Sequence, residues 1–445
     1  MKVSIIGTGY VGLVTGTCLA EKGHQVVCVD VDRSKVDKIN RGEPPIHEAG
    51  LPELLARNIG TRLRATVQLE PALLETDLTL VAAPTPFDGR EIDLRFVREI
   101  AAQAGRALAH KQGYHVVVVK STVVPGTTDD VVLPILEQSS GKQAGIDFGI
   151  GMNPEFLSEG EAVRDFMHPD RIVLGGIDAR TIDALDGLYQ GFTGVERLRT
   201  NNRTAETIKY ASNALQATMI SFANEIGNLC ARLGGVDVVD VLRGVHLMKE
   251  LTPVLADGTR VRAPITSFLG AGCGFGGSCF PKDVKAIIAH AKKLGERMRL
   301  LEAVIDVNRE QPRRMLALLR KHFASLAGVR VAVLGIAFKP DTDDMRESPA
   351  IPIIDALLGD GAQVQAYDPA AGDEARRVFA GKPVTICGTL DECLAGSQAA
   401  LLVTRWEEFR SVPERLHLLA PPRVLVDGRR MLDKHSVACY EGIGT

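Results

Sequence analysis

The sequence contains no CxxC pair, although eight cysteines are spread along its 445 residues. Its ten histidines show neither HxxxH nor HExxH spacing, so the commonest zinc-binding patterns are missing and we expect no metal site. Several cysteines lie in apolar surroundings, which is typical of reduced, mostly buried thiols in a cytoplasmic protein. The eight cysteines are Cys18, Cys28, Cys230, Cys273, Cys279, Cys387, Cys393 and Cys439.

Long apolar runs and a strong charge of either sign are also missing. No stretch approaches the roughly 20 apolar residues of a membrane-spanning helix. Lysine and arginine number 52 against 55 aspartate and glutamate, a net charge of −3, which argues against binding nucleic acid or a membrane surface through bulk charge. The opening MKVSIIGTGYVGLVTGTCLA has the lysine and apolar stretch of a signal peptide, but its glycine spacing and Glu21-Lys22 favour a folded segment.

A glycine-rich turn follows the first predicted strand, KVSIIG. Gly7, Gly9 and Gly12 come next, and QVVCVD forms a second strand that ends in Asp30. In this strand–turn–helix order, GxGxxG predicts a dinucleotide site in which the helix N-terminus stabilises a pyrophosphate. Asp30 is suited to accept hydrogen bonds from the adenosine ribose, which favours NAD over NADP, although nearby Lys35 would weaken that preference.

Further strands are predicted at LTLVAAPTP, HVVVVKST, DFGIGMNPEF and RIVLGG, with helical patterns between them. Alternating β and α units indicate a parallel, doubly wound sheet, in which ligands bind beyond the carboxyl ends of the strands. Polar residues follow three of those ends: Thr85-Pro86, Ser121-Thr122 and Asn153-Pro154-Glu155. We predict that they face one crevice.

The pattern changes near residue 203, where a long helical period begins that offers a dimer surface. Near the C-terminus, GVRVAVLGIAFKPDTDDMRESPAIPIIDALLGDGAQVQAYDP repeats the strand–loop–helix–strand order without GxGxxG. A different ligand is expected there, with phosphates that meet Lys339 and Arg346. We predict two Rossmann-like, doubly wound parallel-sheet domains joined by an all-helical section, with boundaries at 1–200, 201–315 and 316–445.

The segment GFGGSCFPKD, residues 274–283, precedes a predicted helix in the helical section. A cysteine near a helix N-terminus and beside Lys282 has its thiolate favoured, which makes Cys279 a candidate nucleophile. Gly276 and Gly277 would let a substrate approach the backbone closely. The alternative for Cys279 is a buried structural cysteine.

Lys209 and Asn213 in IKYASN are four residues apart and lie on one face of the long predicted helix. A buried pair of this kind is suited to polarising a hydroxyl group or holding an oxyanion. The alternative, from spacing alone, is a solvated helix face.

A series of motifs runs along the chain from residue 1 to about 370, and VDGRRML lies nearer the C-terminus. The others are GTGYVGL, APTP, KSTVVPGT, NPEFLSEG, IKYASNA, GFGGSCFPKD, AFKPDTDDMRESPA and YDP. In these motifs and their order, the chain resembles the UDP-glucose/GDP-mannose 6-dehydrogenase family.

The resemblance implies a two-step, four-electron oxidation in which the C6 alcohol of a nucleotide sugar becomes a carboxylate and two NAD+ are reduced. Cys279 would capture the intermediate aldehyde as a thiohemiacetal. A second hydride transfer would then give a thioester, and water would release the acid. Lys209, helped by Asn213, would stabilise oxyanions.

The resemblance also assigns residues around water, the cofactor and the substrate. Asp283 and Thr122 would hold or activate water, and Glu155 is a further candidate base for thioester hydrolysis. Glu159 and Lys339 would position groups around the sugar and its phosphates. The predicted NAD contacts are Gly7, Gly9, Tyr10, Val11, Gly12, Asp30, Lys35, Thr85, Pro86, Thr122, Glu159, Lys282 and Arg346. The predicted substrate contacts are Glu155, Phe156, Leu157, Glu159, Lys209, Asn213, Phe275, Gly276, Cys279 and Lys339.

Two motifs bear on which sugar is oxidised. GGSCFPKD is more similar to the UDP-glucose and GDP-mannose enzymes than to the N-acetylhexosamine branch, and FMHPDRIVLGG, residues 166–176, looks more like the UDP-glucose enzymes. UDP-glucose is therefore favoured, with GDP-mannose or another nucleotide sugar as the alternative. The long 246–273 link departs from the family pattern. Arg260 and Arg262 do not align cleanly with the arginine that reaches a partner subunit's substrate, and Ala271 replaces a common proline.

Two other function classes stay open. A two-electron hydroxyacid dehydrogenase also carries lysine and asparagine on one helix, but it needs neither Cys279 nor a second nucleotide-type domain. A non-catalytic NAD-binding sensor would not need Lys209, Asn213, Cys279 and Asp283 together. We expect a homodimer that binds a nucleotide sugar, with neither nucleic acid nor a membrane as a partner.

Overall fold

The computed structural model describes residues 1–418 and 423–445. Its internal contacts divide the chain into two compact units, Met1–Ser212 and Asn213–Thr445, which we call the N-terminal and the C-terminal unit. The boundary between them lies inside one long helix, Asn202–Leu233. The three-part division at 200 and 315 stays a prediction.

The N-terminal unit contains an eight-stranded sheet. Its strands are β1 (Lys2–Ile6), β2 (Gln25–Val29), β3 (Leu63–Thr66), β4 (Leu78–Val81), β5 (His115–Val119), β6 (Phe148–Met152), β7 (Arg171–Gly176) and β8 (Glu196–Thr200). They are arranged in the order β3-β2-β1-β4-β5-β6-β7-β8. All neighbours are parallel except β6 and β7, which pair antiparallel with Met152 opposite Gly175. The doubly wound prediction is thus confirmed, with one reversed pair that the sequence pattern did not reveal.

Helices cover both faces of this sheet because successive strand residues point to opposite sides. The helices are α1 (Tyr10–Glu21), α2 (Arg33–Asn40), α3 (Leu51–Asn58), α4 (Leu69–Leu74), α5 (Arg95–His110), α6 (Leu133–Ser140), α7 (Ala162–Met167) and α8 (Ala179–Leu188). One apolar layer joins Val3 and Ile5 to α1, α3, α7 and α8, and the other joins Ile6 and Val27 to α4, α5 and α6. A π-helical turn, Thr128–Val132, precedes α6.

The chain continues through the long helix into a helical segment. Its helices are α9 (Asn202–Leu233), α10 (Val238–His246), a 3-10 turn (Pro264–Phe268), α11 (Phe280–Lys293) and α12 (Arg299–Leu319). Pro312 lies inside α12, which continues past it for seven residues. In the C-terminal unit, apolar residues of α9, α11 and α12 pack together around Ala217, Val284 and Val304.

A second sheet completes the C-terminal unit. Its six strands are all parallel and run in the order β11-β10-β9-β12-β13-β14. The elements are β9 (Arg330–Leu334), α13 (Ala350–Gly359), β10 (Gln363–Tyr367), α14 (Gly372–Val378), β11 (Val384–Ile386), α15 (Leu390–Leu394), β12 (Ala399–Leu402), a 3-10 turn (Glu407–Ser411), α16 (Val412–His417), β13 (Val424–Asp427) and β14 (Cys439–Gly442). The predicted fold class, two Rossmann-like sheets with helices between them, is confirmed.

Candidate functional site

The first glycine-rich turn joins β1 to α1. Gly7 has φ +101°, and a Cβ there would lie 2.5 Å from the carbonyl oxygen of Ala82. A Cβ on Gly12 would lie 1.9 Å from the Gly7 carbonyl oxygen. The fold itself therefore requires these two glycines. At Gly9, by contrast, no atom of the described chain outside the adjoining backbone lies within 4 Å of the Cβ position, which leaves space before the N-terminus of α1. That space fits the pyrophosphate of NAD.

Asp30 follows β2 beside this turn. Its Oδ2 accepts hydrogen bonds from the Thr8 amide at 2.9 Å and the Thr8 hydroxyl at 2.6 Å, and its Oδ1 accepts one from the Asp32 amide at 3.0 Å. Burial raises the pKa of Asp30, but these hydrogen bonds and the charge of Lys35 bring it below its ordinary value. The carboxylate is thus ionised at neutral pH and half-exposed, as ribose recognition requires. Thr8, which fixes its orientation, was not predicted.

Replacing Asp30 by asparagine should weaken NAD+ binding, because the charge is lost and the amide group opposes a Thr8 donor. A hydrogen bond to a charged group contributes about 1.5–3 kcal/mol, so KM for NAD+ should rise roughly 10-fold to 100-fold. KM for NADP+ should change less. Steady-state kinetics with both cofactors would test this, with Asp37→Asn on the exposed side of α2 as the matched control. An unchanged KM for NAD+ would remove Asp30 from the cofactor site.

The polar strand ends lie at one edge of the sheet, because β1, β4, β5 and β6 are parallel neighbours. The Thr85 hydroxyl donates to the Thr122 carbonyl oxygen at 2.7 Å, and the Ser121 hydroxyl donates to the Ala83 carbonyl oxygen at 2.7 Å. These bonds tie the segments that follow β4 and β5. Pro86 is exposed, and the hydroxyl of half-buried Tyr10 donates to the His47 carbonyl oxygen.

A buried ion pair lies beyond the end of β6. The ammonium of Lys209 is 2.9 Å from Glu155 Oε1, and the two side chains are only 4% and 7% exposed. Burial raises the pKa of Glu155, but Lys209, a hydrogen bond from the Leu157 amide and the charge of Lys120 bring it below its ordinary value. This burial excludes a solvated face for Lys209. The ring of Phe156 lies 5.5 Å from its ammonium.

Lys120 is a second buried lysine that was not predicted. Its ammonium donates to Asn153 Oδ1 at 2.8 Å, and the Tyr189 hydroxyl donates to the same oxygen at 2.5 Å. Burial lowers the pKa of Lys120 to about 8. One buried carboxylate, Glu155, thus has two lysines near it. Lys120 is the first residue of the motif KSTVVPGT, but nothing in that motif indicated that its side chain is buried.

The next residues along the chain form the NPEFLSEG loop. Glu159 is half-buried within it, and Glu48 accepts hydrogen bonds from the Gly160 and Ala162 amides, each at 2.8 Å. Glu48 therefore fixes the end of the loop, a role that no sequence pattern indicated.

In the C-terminal unit, Cys279 occupies the N-cap position of α11. The residue is partly exposed and its sulfur lies 3.5 Å from the Ser278 hydroxyl, whereas six of the eight cysteines are buried. This exposure favours the candidate nucleophile over the alternative of a buried structural cysteine. Lys282, expected beside the thiol, places its ammonium 2.5 Å from the Asp283 carboxylate.

Asp283 is a buried carboxylate, 1% exposed, in the first turn of α11. The side-chain amide of Asn213 donates to its Oδ2 at 2.6 Å, and Lys282 donates to its Oδ1 at 2.5 Å. Asn213 is itself buried, so the solvated-face alternative fails here too. The structure thus brings Asn213, Lys282 and Asp283 together, one turn from Cys279.

The two glycines before Cys279 pack against the chain itself. A Cβ on Gly276 would lie 2.3 Å from the Glu347 carbonyl oxygen. Gly277 has φ +88°, and a Cβ there would lie 2.7 Å from the Phe338 ring. Its amide donates to the Arg346 carbonyl oxygen at 2.8 Å. Close packing within the unit therefore requires both glycines, whatever approach they also give to a substrate.

Two side chains that were not predicted hold the start of this loop. Asn308 accepts from the Phe275 amide at 2.8 Å and donates to the Phe275 carbonyl oxygen at 3.0 Å. Arg429, within VDGRRML, donates to the Gly274 carbonyl oxygen at 2.9 Å. The loop that carries Cys279 is thus fixed by α12 and by the segment that follows β13.

The predicted phosphate residues of the second sheet lie in the loop after β9. Lys339 is half-buried, and Arg346 is exposed and bound to the Asp344 carboxylate at 2.6 Å. Asp368 occupies the position after β10 that Asp30 occupies after β2. It accepts from the Ile336 and Ala337 amides at 2.7 and 2.9 Å and from the Trp406 indole at 3.1 Å. Asp368 therefore fixes this loop and does not stand open to a ribose.

The long 246–273 link is braced by its own side chains. Arg262 donates to Thr266 Oγ1 at 2.8 Å and lies 2.6 Å from His246 Nδ1, while Arg260 is exposed. Neither observation assigns a substrate contact to these arginines.

Among residues 1–418 and 423–445, no three histidine, cysteine, aspartate or glutamate side chains are grouped as a metal site. Over the same ranges, none of the helices combines the length and the apolar character needed to cross a bilayer.

Three family profiles match the chain in succession. Residues 1–193 match the NAD binding domain of the UDP-glucose/GDP-mannose dehydrogenase family, residues 203–310 its central domain, and residues 332–434 its UDP binding domain. These matches cover most of the chain.

Curated relatives and solved structures are similar over most or all of the chain. UDP-glucose 6-dehydrogenase AglM of Haloferax volcanii is 45% identical over 450 aligned residues, covering 100% of both chains. GDP-mannose 6-dehydrogenase of Azotobacter vinelandii is 39% identical over 370 residues, 83% of this chain and 81% of the relative. A UDP-glucose dehydrogenase structure from Pyrobaculum islandicum superimposes with a TM-score of 0.90 at 39% identity, covering 99% of this chain and 97% of that one.

Proposed function

Because this chain belongs to the UDP-glucose/GDP-mannose dehydrogenase family and is an NAD-dependent nucleotide-sugar dehydrogenase, we propose that it oxidises the C6 hydroxyl of UDP-glucose to a carboxylate through a thioester on Cys279. The observation that supports this most directly is the partly exposed cysteine at the N-terminus of α11, one turn from the buried carboxylate of Asp283. A two-electron dehydrogenase has no use for such a thiol.

Bound NAD+ supplies the hydride acceptor for both oxidation steps. The residues that would hold it are Gly7, Gly9 and Gly12 at the turn and Asp30 at the ribose, and the open space at Gly9 supports this assignment. Thr85 and Pro86 follow the neighbouring strand end. The chain's own contribution is to orient the cofactor and to supply the groups that handle the substrate.

The covalent steps follow from the chemistry of a thiolate. Oxidation of the C6 alcohol by two electrons gives an aldehyde and releases one proton. The Cys279 sulfur then forms a bond to the aldehyde carbon, and the carbonyl oxygen takes up the thiol proton to give a thiohemiacetal. A second two-electron oxidation of this adduct gives a thioester. Water attacks the thioester carbon, the C–S bond breaks, and the acid and the free thiol are released.

Buried charges are suited to the oxygen atoms in these steps. We assign Lys209 to the oxyanion that develops at C6, since an ammonium in a dry environment stabilises such charge strongly. Glu155, kept ionised by Lys209, is the candidate base for hydrolysis. Asp283, with Asn213 on one oxygen and Lys282 on the other, and Thr122 are assigned to water.

UDP-glucose is preferred over GDP-mannose for two reasons. The relatives named UDP-glucose 6-dehydrogenase align over essentially the whole chain, as in Haloferax volcanii, while the relative from Azotobacter vinelandii aligns over 83% of it. The family profile at residues 332–434 is described as a UDP binding domain. In that region Lys339 is the assigned substrate contact.

Product stoichiometry tests the reaction and the substrate together. NADH formed per sugar consumed would be counted with UDP-glucose, GDP-mannose and UDP-N-acetylglucosamine. We expect two NADH per UDP-glucose. Two per another sugar would keep the chemistry and change the substrate, and one per sugar would mean that oxidation stops at the aldehyde and that Cys279 has no covalent role.

We also propose a homodimer formed through α9. In the C-terminal unit its surface carries Leu215, Phe222 and Leu229, which are 54%, 47% and 54% exposed. Their seven-residue spacing places them in one stripe along the helix, as at a helix–helix interface. An exposed apolar stripe of this kind is typical of a partner surface, and a second copy would cover it with an identical stripe.

Phe222→Glu should convert the dimer to a monomer, because it places a charge in the centre of the apolar stripe. We expect the dimer dissociation constant to rise at least ~100-fold, in line with the loss of a central aromatic anchor. Sedimentation equilibrium over a range of concentrations would measure it. Ala231→Glu, exposed on another face of the same helix, is the control and should leave the dimer intact. A wild-type monomer at working concentration would contradict the proposal.

A further inference from the structure

Glu206 is a fully buried carboxylate on α9 that the proposed reaction does not use. It accepts three hydrogen bonds from the segment that follows Thr122. The Gly126 amide donates to Oε2 at 2.6 Å, and the amide and hydroxyl of Thr128 donate to Oε1 at 2.8 and 2.6 Å. The Glu206 side chain on α9 thus accepts hydrogen bonds from backbone amides at and just before the start of the π-helical turn.

This segment, residues 121–128, is fixed at both ends. At its start, Ser121 and Thr122 are bonded to the end of β4 through the Ala83 carbonyl oxygen and the Thr85 hydroxyl. At its end, the segment enters the π-helical turn Thr128–Val132, whose own N-cap residue makes no side-chain hydrogen bond. Glu206 accepts the hydrogen bond from the Thr128 amide and so caps this turn from another helix. Without that cap, the second end would be held to α9 only through Asp129 and Asp130, which contact Asn202 and Arg203.

Glu206 also lies on the part of α9 that carries Lys209. The two residues are three apart and therefore neighbours on one side of the helix. Lys209 is bound to Glu155. One carboxylate thus connects the segment of Thr122 to the helix turn that presents Lys209, and a displacement of the segment changes the spacing of two groups assigned to the same reaction.

We propose, on the basis of the function proposed above, that Glu206 is a positioning residue that holds the Thr122 segment in its active arrangement only while it is ionised. Proton uptake at Glu206 then lowers kcat and leaves the binding of the nucleotide sugar unchanged. The group is not catalytic, since it acts through the segment it holds.

The hydrogen-bond arrangement explains why ionisation matters. All three partners donate to the carboxylate, so each bond uses an oxygen lone pair. Protonation removes the negative charge, so these charge-assisted bonds, including the one from the Gly126 amide, become weaker. Gly126 has φ +93°, a conformation that glycine alone adopts readily, so the turn is able to relax once that bond weakens.

The surroundings place this titration in the neutral range. Burial raises the pKa of Glu206 to about 7, with a further increase from Asp129, although the hydrogen bonds from Thr128 and Gly126 oppose it. The neighbouring charges on the segment are Asp129 and Asp130, and both are paired with Arg203 of α9, at 3.4 and 2.6 Å. Strand β7 packs on α9 at Ala205, and its charged residue Arg171 is paired with Asp170.

The decisive experiment compares pH profiles of kcat and KM for three proteins. The wild type should show a fall in kcat below about pH 7. Glu206→Gln places an amide against the same donors and resembles the protonated state. Its kcat at pH 8.5 should be lower by roughly 10-fold to 100-fold, the effect of a displacement of about 1 Å, and its acid limb should vanish. KM for the nucleotide sugar should change less than twofold.

Thr128→Ala gives an independent test if Glu206→Gln folds poorly. It removes one donor to the ionised form, so the acid limb should move to higher pH by about one unit. Glu99→Gln, exposed on α5 of the same unit, is the control and should retain the wild-type profile. An acid limb that persists in Glu206→Gln, or that does not move in Thr128→Ala, would overturn the proposal.

Amide hydrogen exchange separates this inference from the proposed function, because it needs no turnover. After correction for intrinsic rates, exchange at Gly126 and Thr128 should increase as pH falls through 7 in the wild type and should not depend on pH in Glu206→Gln. If exchange responds while kcat does not, positioning by Glu206 is wrong and the proposed function stands. If no sugar of the panel is oxidised, the proposed function fails. In that case, amide exchange at Gly126 and Thr128 that does not change with pH in the wild type would also reject the proposed effect of Glu206 ionisation.

Discussion

Cys279→Ser should abolish overall turnover and leave NAD+ binding intact. A serine hydroxyl in this position forms no thioester, so the second oxidation has no covalent adduct to act on. We expect uronic acid formation to fall by on the order of 10³-fold or more, as is usual when a covalent nucleophile is removed. NADH absorbance would measure turnover, and a fluorescence titration would measure NAD+ affinity, which we assign to residues 7–12 and 30 of the other unit.

Cys439→Ser supplies the matched control, because Cys439 is the other partly exposed cysteine and lies on the edge strand β14. It should retain wild-type activity. If Cys279→Ser made uronic acid at the normal rate, the thioester route would be wrong. If both variants lost activity equally, the loss would report a general sensitivity to thiol replacement and not a nucleophile.

Lys209→Met should remove activity and also destabilise the N-terminal unit. The variant leaves Glu155 buried without its closest cation, and breaking a buried ion pair in this way costs about 3–5 kcal/mol. Lys120 remains nearby, so the lower end of that range is expected. The loss of the ammonium should reduce kcat by about 10² to 10³. Urea denaturation and steady-state kinetics would give the two quantities separately.

The pH dependence of that destabilisation has a definite sign. In the wild type the pKa of Glu155 lies below its ordinary value of about 4.5, so its stabilising contribution is present above that pH and is lost as pH falls. Without Lys209, burial dominates and the pKa rises, so stability is lost as pH increases. The stability difference should therefore be larger at pH 8 than at pH 5.

A double variant tests the stabilising role of Lys209. Adding Glu155→Gln to Lys209→Met removes the uncompensated charge, so most of the stability should return, because the two groups interact directly. Activity should stay low, because the assigned ammonium and the candidate base are both absent. Recovery of activity along with stability would contradict both assignments.

The fold was predictable wherever the local sequence pattern indicates the same helix or strand that the packing of the folded chain requires. GxGxxG between two β-rich runs specified the first βαβ unit, and the absence of proline and glycine up to Gly227 specified the long helix α9. The antiparallel pairing of β6 with β7 was not predictable. Strand direction depends on the path of residues 153–170, where only the short helix α7 forms, and a hydrophobic period carries no direction.

The proximity of candidate residues was predictable where they share one motif, as with Cys279 and Asp283, whose catalytic roles stay predictions. The supporting side chains were not. Asn308 in α12 forms two hydrogen bonds with the Phe275 backbone, and Glu48 accepts one from the Gly160 amide in the NPEFLSEG loop. Each is distant in sequence from the group it holds and lies in no recognisable pattern. Hydrogen bonds between elements far apart in the chain leave no local signature, so only the folded structure shows them.

Because Gly276 and Gly277 pack against residues 347 and 338, a match to the segment GFGGSCFPKD in another sequence carries information about folding as well as about chemistry. Its glycines identify chains that fold like this C-terminal unit, and under the proposed function its cysteine identifies chains that form the thioester. A protein that keeps both glycines but has another residue at position 279 would be a folded relative with altered activity and not a degraded one. Searches that score the whole segment as one unit merge these two classes, and scoring its two parts separately would distinguish them.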